Sequence, residues 1–387
     1  MNLKGSNPMT WQSRAAELAR TISYPASPWY RPLSRVPRHL LTPRWFTSGA
    51  DGWTVTDGQD DQEAWQAAAY TNTTIVTRAG AVHADQAKPN EPVMGRPTSS
   101  STHPSLVIKM FEHGRVDDGM RLLDVATGSG YSAALATQRL GGELVTSVDV
   151  DPYLTETAAE RLASIGLHPQ ILTCDATGPL PGEYYDAIVS GVGMPSIPRS
   201  WLGALRPGSG RLVTVLADTG LIITATSTTE GGAVGQVEWD RAAFMPTRTA
   251  EDYPPALGEL FDAIRERDGD DVTASPYPVI SVMAAWDVWS MLTLTTPGIE
   301  HRMQLGDDGS RTAWMLHADG SWARATTAPD GAGATVHQGG PRRLWDELDS
   351  IRRRWLHEGE LPVYGAHVSI TPEGVTTLRR GSWSVTV

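Results

Sequence analysis

Between residues 120 and 217, short apolar runs alternate with amphipathic stretches. The runs at 120–123, 144–148, 169–174, 185–189 and 210–216 read as strands, and 129–140, 152–165 and 197–205 read as helices. Such alternation predicts an α/β fold, a Rossmann-like and mostly parallel sheet covered on both faces. Runs at 221–226 and 235–239, separated by Gly231 and Gly232, predict two antiparallel strands that finish the sheet. Upstream, 11–21 has the spacing of a short helix, with Thr10 as its N-cap. The stretch 24–38 carries Pro25, Pro28, Pro32 and Pro37, so it must be extended or turning. Residues 48–63 read as a loop, 64–70 as a helical turn and 73–77 as a short strand. Residues 84–104 are rich in Pro, Ser and Thr and show no regular period, and 106–111 starts a helix. Downstream, 251–276 reads as a linker with a short helix. Runs at 312–316 and 321–325 flank an Ala-Asp-Gly turn and predict a hairpin, as do 367–371 and 375–379. Leu344, Leu348, Ile351 and Trp355 have helical spacing, predicting an amphipathic helix over 342–358 that ends at Gly359. The expected division is an N-terminal helical and irregular segment (1–113), a Rossmann-like domain (114–248), and a linker with a small α+β domain (249–387).

The candidate chemistry lies where the first strand of the alternating region ends. Asp124 precedes a turn containing Ala126, Thr127, Gly128, Ser129 and Gly130, and a helix follows. Glycines let backbone approach a ligand, and the free N–H groups of a helix start point at it. The dinucleotide fingerprint needs a third glycine three residues on, and Ala133 stands there instead. An acid before the turn and only two glycines suit a cofactor without a pyrophosphate, and S-adenosylmethionine is the candidate. The second strand ends in Asp149 and Val150, where an acid grips a ribose hydroxyl pair. The third ends in Asp175 and Ala176, placed for an adenine edge, and the fourth in Ser190 and Gly191. Ligands of open α/β folds bind at this carboxyl edge. Asp151, beside Pro152, reads as a solvated acid at a helix start.

Composition narrows the function. At 387 residues the chain should hold two or three domains. Its net charge is −12 with no long basic run, which argues against a general nucleic-acid binder. Cys174 is the only cysteine, so no internal disulfide is expected, and its place after an apolar run suggests a buried thiol. No Cys/His spacing suits a metal, so none is expected. Residues 1–10 lack an apolar signal core, and no apolar run is long enough for a membrane span. The expectation is a soluble, cytoplasmic protein. The 14 Trp outnumber the 4 Phe. Trp286, Trp289, Trp314, Trp322, Trp345, Trp355 and Trp383 fall in the C-terminal part, where they could floor a peptide groove or build a small core. Arg352, Arg353 and Arg354 read as a solvated helix face.

Several elements in order resemble the protein-L-isoaspartate O-methyltransferase family. Val36, Pro37, Arg38 and Pro43 resemble its Val-Pro-Arg-x-x-Phe-x-Pro element. Residues 100–104 lie where the family has Thr-Ile-Ser-Gln-Pro, and 122–133 resemble its Val-Leu-Glu-Ile-Gly-Thr-Gly-Ser-Gly-Tyr stretch. Residues 145–154 and 185–198 resemble two further elements, so the likeness spans roughly 30–217. It implies a class I methyltransferase sheet, S-adenosylmethionine as methyl donor with S-adenosylhomocysteine as product, and Asp149 as the ribose acid. Two segments depart from the family pattern. Thr102 and His103 replace its serine and glutamine, and Gly191, Val192, Gly193 and Met194 replace its Ala-Ala-Ala loop. These four loop residues are therefore candidates for substrate binding, with a changed substrate choice.

With about 140 residues beyond the ordinary enzyme, the layout resembles long relatives that mature ribosomal peptides (lanthipeptides, graspetides or lasso peptides). The implied reaction esterifies an aspartate side chain in a modified, cyclised precursor peptide, leading to succinimide and then isoaspartate. Transient contact with peptide-cyclising enzymes would follow. An aspartate with an ordinary pKa of ~3.9 is already ionised, so no strong base is needed. The enzyme must align oxygen with methyl and strip water away. Ser100, Ser101 and Thr102 could orient the acceptor. His103 could donate a hydrogen bond or assist ring closure, or it could simply be a loop histidine beside Pro104. Alternatives are a repair methyltransferase acting on isoaspartyl residues and a non-catalytic peptide escort. A dehydrogenase is poorly supported.

Overall fold

In the computed structural model, which describes residues 9–248, 257–327, 331 and 333–387, the alternating region forms the parallel half of a ten-stranded sheet. From one edge its strands are Gln170–Thr173, Val145–Asp149, Leu122–Val125, Ala187–Met194 and Arg211–Leu216, each parallel to the next. Antiparallel strands continue it: Leu221–Ser227, Ala233–Arg241, His367–Ile370, Thr376–Arg380 and Trp383–Thr386. Leu122–Val125 is buried along its whole length, as a strand covered on both faces must be. The helices Pro104–His113, Tyr131–Leu140 and Pro152–Ser164 connect or cover these strands. Strand order reverses at Leu122–Val125, whose neighbours are the next strand in the chain on one side and Ala187–Met194 on the other. A crevice therefore opens at its carboxyl end.

Two smaller sheets flank this one. The N-terminal sheet contains Arg44–Gly49, Gly52–Asp57, Ile75–Ala79, Val82–His83 and Pro97–Ser101. Residues 48–63, expected as a loop, instead carry most of a hairpin. Its turn uses Gly52 at φ 118°, and its alternation is masked by Thr, Gly and Asp at exposed positions. Residues 84–104, without visible period, contain the hydroxyl-rich strand Pro97–Ser101, which pairs with Ile75–Ala79. In the proline-rich stretch, Tyr30–Arg35 and Arg38–Leu41 are helical. Pro32 falls in a first turn, where its missing N–H is no loss.

The C-terminal sheet runs Asp271–Ser275, Ala334–Gly339, Trp322–Thr327, Arg311–Leu316, Glu300–Leu305. The helices Trp286–Thr295 and Leu344–His357 accompany it. Part of the expected linker, 251–256, lies outside the described residues, and the helix Gly258–Ile264 follows. The hairpin after 367 does not belong to a separate domain: with Trp383–Thr386 it extends the central sheet. One hydrophobic core joins Leu123, Ile188 and Leu212 of that sheet to Val336, Leu344 and Trp345. The C-terminal region is thus fused to the central sheet through shared packing. Trp314, Trp322, Trp345 and Trp383 are buried, and Trp286, Trp289 and Trp355 pack against the core, so these residues build a core and no groove floor. Arg352 is buried too, donating to the Pro278 carbonyl at 2.6 Å beside Asp349, while Arg353 is solvated.

Candidate active site

Asp124 lies within the strand Leu122–Val125, and the chain then bends sharply. Ala126, Gly128 and Gly130 take φ of 74°, 51° and 80°. The Ala126 and Thr127 amides donate to the Val148 carbonyl, which fastens the bend to the neighbouring strand. The two glycines have different reasons. A Cβ on Gly128 would come within 3.1 Å of the Ser100 carbonyl, so Gly128 lets the N-terminal sheet close over the turn. A Cβ on Gly130 would meet Ala158 at 3.2 Å, so Gly130 serves helix packing. Gly130 caps the helix Tyr131–Leu140 and does not face the cavity.

A cavity of about 340 Å³ opens over this turn. Asp124, Ala126, Thr127, Gly128, Ser129, Asp149, Val150, Asp175, Ala176 and Ser190, all expected from the sequence, line it. The Asp124 carboxylate accepts from the hydroxyls of Ser132 and Ser147, both at 2.8 Å. Burial pushes Asp124 up to about 6, with those hydroxyls opposing and Asp149 adding to the rise. Asp149 accepts from the Gly128 amide at 3.0 Å and the Asp151 amide at 3.1 Å, and burial raises it as well. Asp175 accepts from the Thr177 hydroxyl at 2.7 Å. The amide in the turn before the helix, which would greet a pyrophosphate, is therefore already taken by Asp149. Three carboxylates around one cavity suit a ligand with hydroxyls and positive charge, and oppose a phosphate-bearing one.

The opposite wall comes from the N-terminal sheet and the helix Pro104–His113. Ser100, Thr102 and His103 line the cavity. Ser101 does not: it is buried, and its hydroxyl accepts from Arg38 Nε at 3.3 Å. Arg38 is fully buried and also donates to the carbonyls of Ala69, Thr71, Thr73, Ser101 and Thr102. Its guanidinium lies 5.0 Å from the centre of the Tyr131 ring. Arg38 thus pins the loop that carries Thr102 and His103. His103 caps the following helix, with Nδ1 accepting from the Leu106 amide at 3.3 Å. When the ring is neutral its proton sits on Nε2. Burial, then the Arg38 charge, holds His103 below the ordinary histidine range, so it is a neutral donor at physiological pH.

Among the loop residues, Gly191 and Val192 line the cavity. Gly193 and Met194 do not. The Gly193 amide donates to the Met245 carbonyl at 2.8 Å, its own carbonyl accepts from Thr247 at 2.7 Å, and Met194 is buried in the core. Gly193 thereby holds the segment 241–248 as a further wall, which carries Phe244, Pro246 and Arg248. That segment was missed because it follows the last recognisable strand and has no period of its own. Cys174, expected in the core, is half-buried at the cavity edge. Asp151 is not solvated. It caps the helix Pro152–Ser164 and meets Arg248 at 3.3 Å and His83 at 3.2 Å, tying three segments together. Those partners hold its carboxyl well below the usual carboxylate range against the effect of burial. Among the described residues no cluster of His, Cys, Asp and Glu is arranged to hold a metal ion, and no helix is long and apolar enough to cross a membrane.

The parallel sheet, its glycine turn and the acids at successive carboxyl ends define a Rossmann-like domain with its ligand site at the switch point of the sheet. Residues 64–251 match the model of the family described as protein-L-isoaspartate(D-aspartate) O-methyltransferase. The protein-L-isoaspartate O-methyltransferase of Thermotoga maritima is 33% identical over 123 residues, 31% of this chain and 38% of its own length. That of Thermococcus onnurineus is 34% identical over 125 residues, 32% of this chain and 55% of its own length. The chain thus matches from about two fifths to just over half the length of these relatives. A solved protein-L-isoaspartate O-methyltransferase aligns with a TM-score of 0.47 and 17% identity, covering 97% of this chain and 99% of the other.

Proposed function

We propose that this protein is an S-adenosylmethionine-dependent O-methyltransferase that esterifies a carboxylate of a peptide. The observation that carries the reading is the cavity at the sheet's carboxyl edge, walled by Asp124, Asp149 and Asp175 around a glycine turn whose amide is already engaged. That acceptor set fits a nucleoside sulfonium: Asp149 for the ribose hydroxyls, Asp124 toward the ammonium group of the amino-acid end, Asp175 and Ala176 at the base. Bound there, S-adenosylmethionine supplies an electrophilic methyl group to a carboxylate oxygen.

The chain's own residues do the rest. Ser100 and Thr102 present hydroxyls to the acceptor, and the neutral imidazole of His103 offers Nε2–H without taking the acceptor's charge away. Leu106, Val107 and Phe111, which also line the cavity, keep water from the carboxylate. Arg38 holds the Thr102–His103 turn in register with the glycine turn.

For the substrate, we favour an aspartate side chain in a cyclised, ribosomally made precursor peptide. The nitrogen of the next backbone amide would then attack the ester carbonyl and expel methanol, which carries off the N–H proton, giving a succinimide that water opens to isoaspartate. Thr102 and His103 in place of serine and glutamine support a substrate other than the generic one. The repair of isoaspartyl residues is the second reading, supported by the family match over 64–251. Mass spectrometry of two peptides incubated with enzyme and S-adenosylmethionine separates them: a generic isoaspartyl peptide and a cyclised aspartyl precursor. Methylation of the precursor followed by methanol loss is expected. Rapid methylation of the isoaspartyl peptide with the precursor untouched would leave the repair reading standing alone.

A further inference from the structure

The cavity has a charge problem that the proposed reaction must solve. Its walls hold three carboxylates, Asp124, Asp149 and Asp175. A peptide carboxylate approaching them is repelled, and His103, held neutral, gives no compensating charge. Two cations face the cavity, Arg241 and Arg248. Arg248 is spent on Asp151, 3.3 Å away, with both side chains almost fully buried. Arg241 is exposed and has no carboxylate within ion-pair distance among the described residues.

Arg241 is nevertheless well placed. It ends the strand Ala233–Arg241, and its guanidinium lies 4.6 Å from the centre of the Trp286 ring. Trp286 belongs to the C-terminal region and starts the helix Trp286–Thr295. Its ring takes the space that a Cβ on Gly220 would need, and Gly220 also accepts the Ala242 amide at 3.1 Å, so one backbone turn sets both the ring and the arginine. Trp289 buttresses Trp286 edge-on, with ring centres 5.2 Å apart. The neighbouring acid, Asp287, accepts from the Val363 amide at 2.9 Å and feels the Arg241 charge without pairing with it; burial raises its pKa, with that amide and the Arg241 charge opposing. A guanidinium held over an aromatic face by its central carbon still has N–H groups to offer a carboxylate, which a guanidinium can grip with two parallel hydrogen bonds.

We infer that Arg241 is the substrate's anion-binding residue. It holds a carboxylate of an acidic peptide at the cavity mouth, and the C-terminal region contributes to the site by fixing Arg241 through Trp286. The inference rests on the proposed methyl transfer to a peptide and adds a specificity-determining residue to it. It also gives the fused C-terminal region a task at the site.

The test is steady-state methyl transfer by the full chain to synthetic aspartyl and isoaspartyl peptides, each with acidic or amide flanks. Wild type is compared with Arg241→Gln and Arg241→Lys, and S-adenosylhomocysteine affinity is measured for each. Arg241→Gln is expected to raise KM for the acidic peptides about tenfold to a hundredfold, the loss of one charge-assisted pair. It should leave kcat and S-adenosylhomocysteine affinity unchanged and flatten the salt dependence of kcat/KM. Arg241→Lys should fall between. Unchanged KM and salt dependence in a folded Arg241→Gln protein would overturn the inference and leave the methyltransferase reading intact. Failure of wild type to methylate any of the peptides would instead overturn the reading on which it rests.

Discussion

Asp124 and Asp149 stand at neighbouring strand ends, and their partners give them different work. Asp149 is held by two backbone amides, which favour its charged form and fix its direction. Asp124 has only two serine hydroxyls against full burial, so its carboxyl titrates at about 6. Its folded pKa lies above the unfolded one, so the folded protein holds this proton more tightly. The resulting cost to stability is absent below about pH 4, grows as pH rises through about 6, and is on the order of 3 kcal/mol above it. Ligand binding has the opposite dependence, because the ligand's α-ammonium group needs Asp124 ionised. S-Adenosylhomocysteine affinity is therefore expected to fall toward tenfold per unit below about pH 6. Asp124→Asn should raise the thermal midpoint of the free protein at neutral pH and weaken the ligand. Calorimetric titrations between pH 5 and 8 check this, and a flat profile would contradict the assignment. The acids at the three strand ends were legible in the sequence because strand alternation alone puts them on one edge. Arg38 was visible only as part of a motif. Its burial and its hold on Thr102 depend on contacts some 30 and 60 residues away in the chain, which no local pattern encodes.

Among the elements, the glycine turn and the strand Pro97–Ser101 form one unit, since each shapes the other. Gly128 combines a left-handed backbone with close approach of the Ser100 carbonyl. Gly128→Ala is expected to cost about 1–2 kcal/mol from the backbone alone. It should also push the strand outward, so S-adenosylhomocysteine affinity should drop at least tenfold. A chemical melt and a titration measure the two effects, and a variant equal to wild type in both would show that the closure over the turn is not tight. The apolar strands of the central sheet were readable because burial on both faces demands continuous apolar runs. The N-terminal hairpin and Pro97–Ser101 were not, because short, half-exposed strands made of Thr, Ser, Gly and Asp look like loops. Ser101 shows the same limit at finer grain: it is turned to the buried Arg38, a partner 63 residues away, so the sequence groups it with the serine and threonine that line the cavity.

At the scale of the whole molecule, the chain is less divisible than its composition suggests. The shift near 249 marks a change of sheet, yet the last three strands return to the central one. His367–Ile370 covers the edge of Ala233–Arg241, the strand that leads to Arg241 and the cavity wall. A chain ending before His367 would leave that edge unpaired and open part of the shared core. It is expected to be insoluble or to unfold without a cooperative transition. A soluble truncated chain with a sharp melt and intact ligand binding would restore the simpler division into separate domains. The sequence could indicate hairpins in this region but not which sheet they would join, since pairing across more than a hundred residues leaves no periodic trace.

The measurement that bears most directly on the central claim is calorimetric titration of S-adenosylhomocysteine into the full chain, with NAD as the contrasting ligand and Asp149→Ala as the contrasting protein. If the carboxyl-edge cavity is a nucleoside site whose carboxylates and engaged turn amide reject a pyrophosphate, S-adenosylhomocysteine binds one per chain. NAD does not bind, and Asp149→Ala weakens S-adenosylhomocysteine by about tenfold to a hundredfold. Binding of NAD, or S-adenosylhomocysteine binding that is indifferent to Asp149, would contradict the assignment of this cavity and the chemistry argued from it.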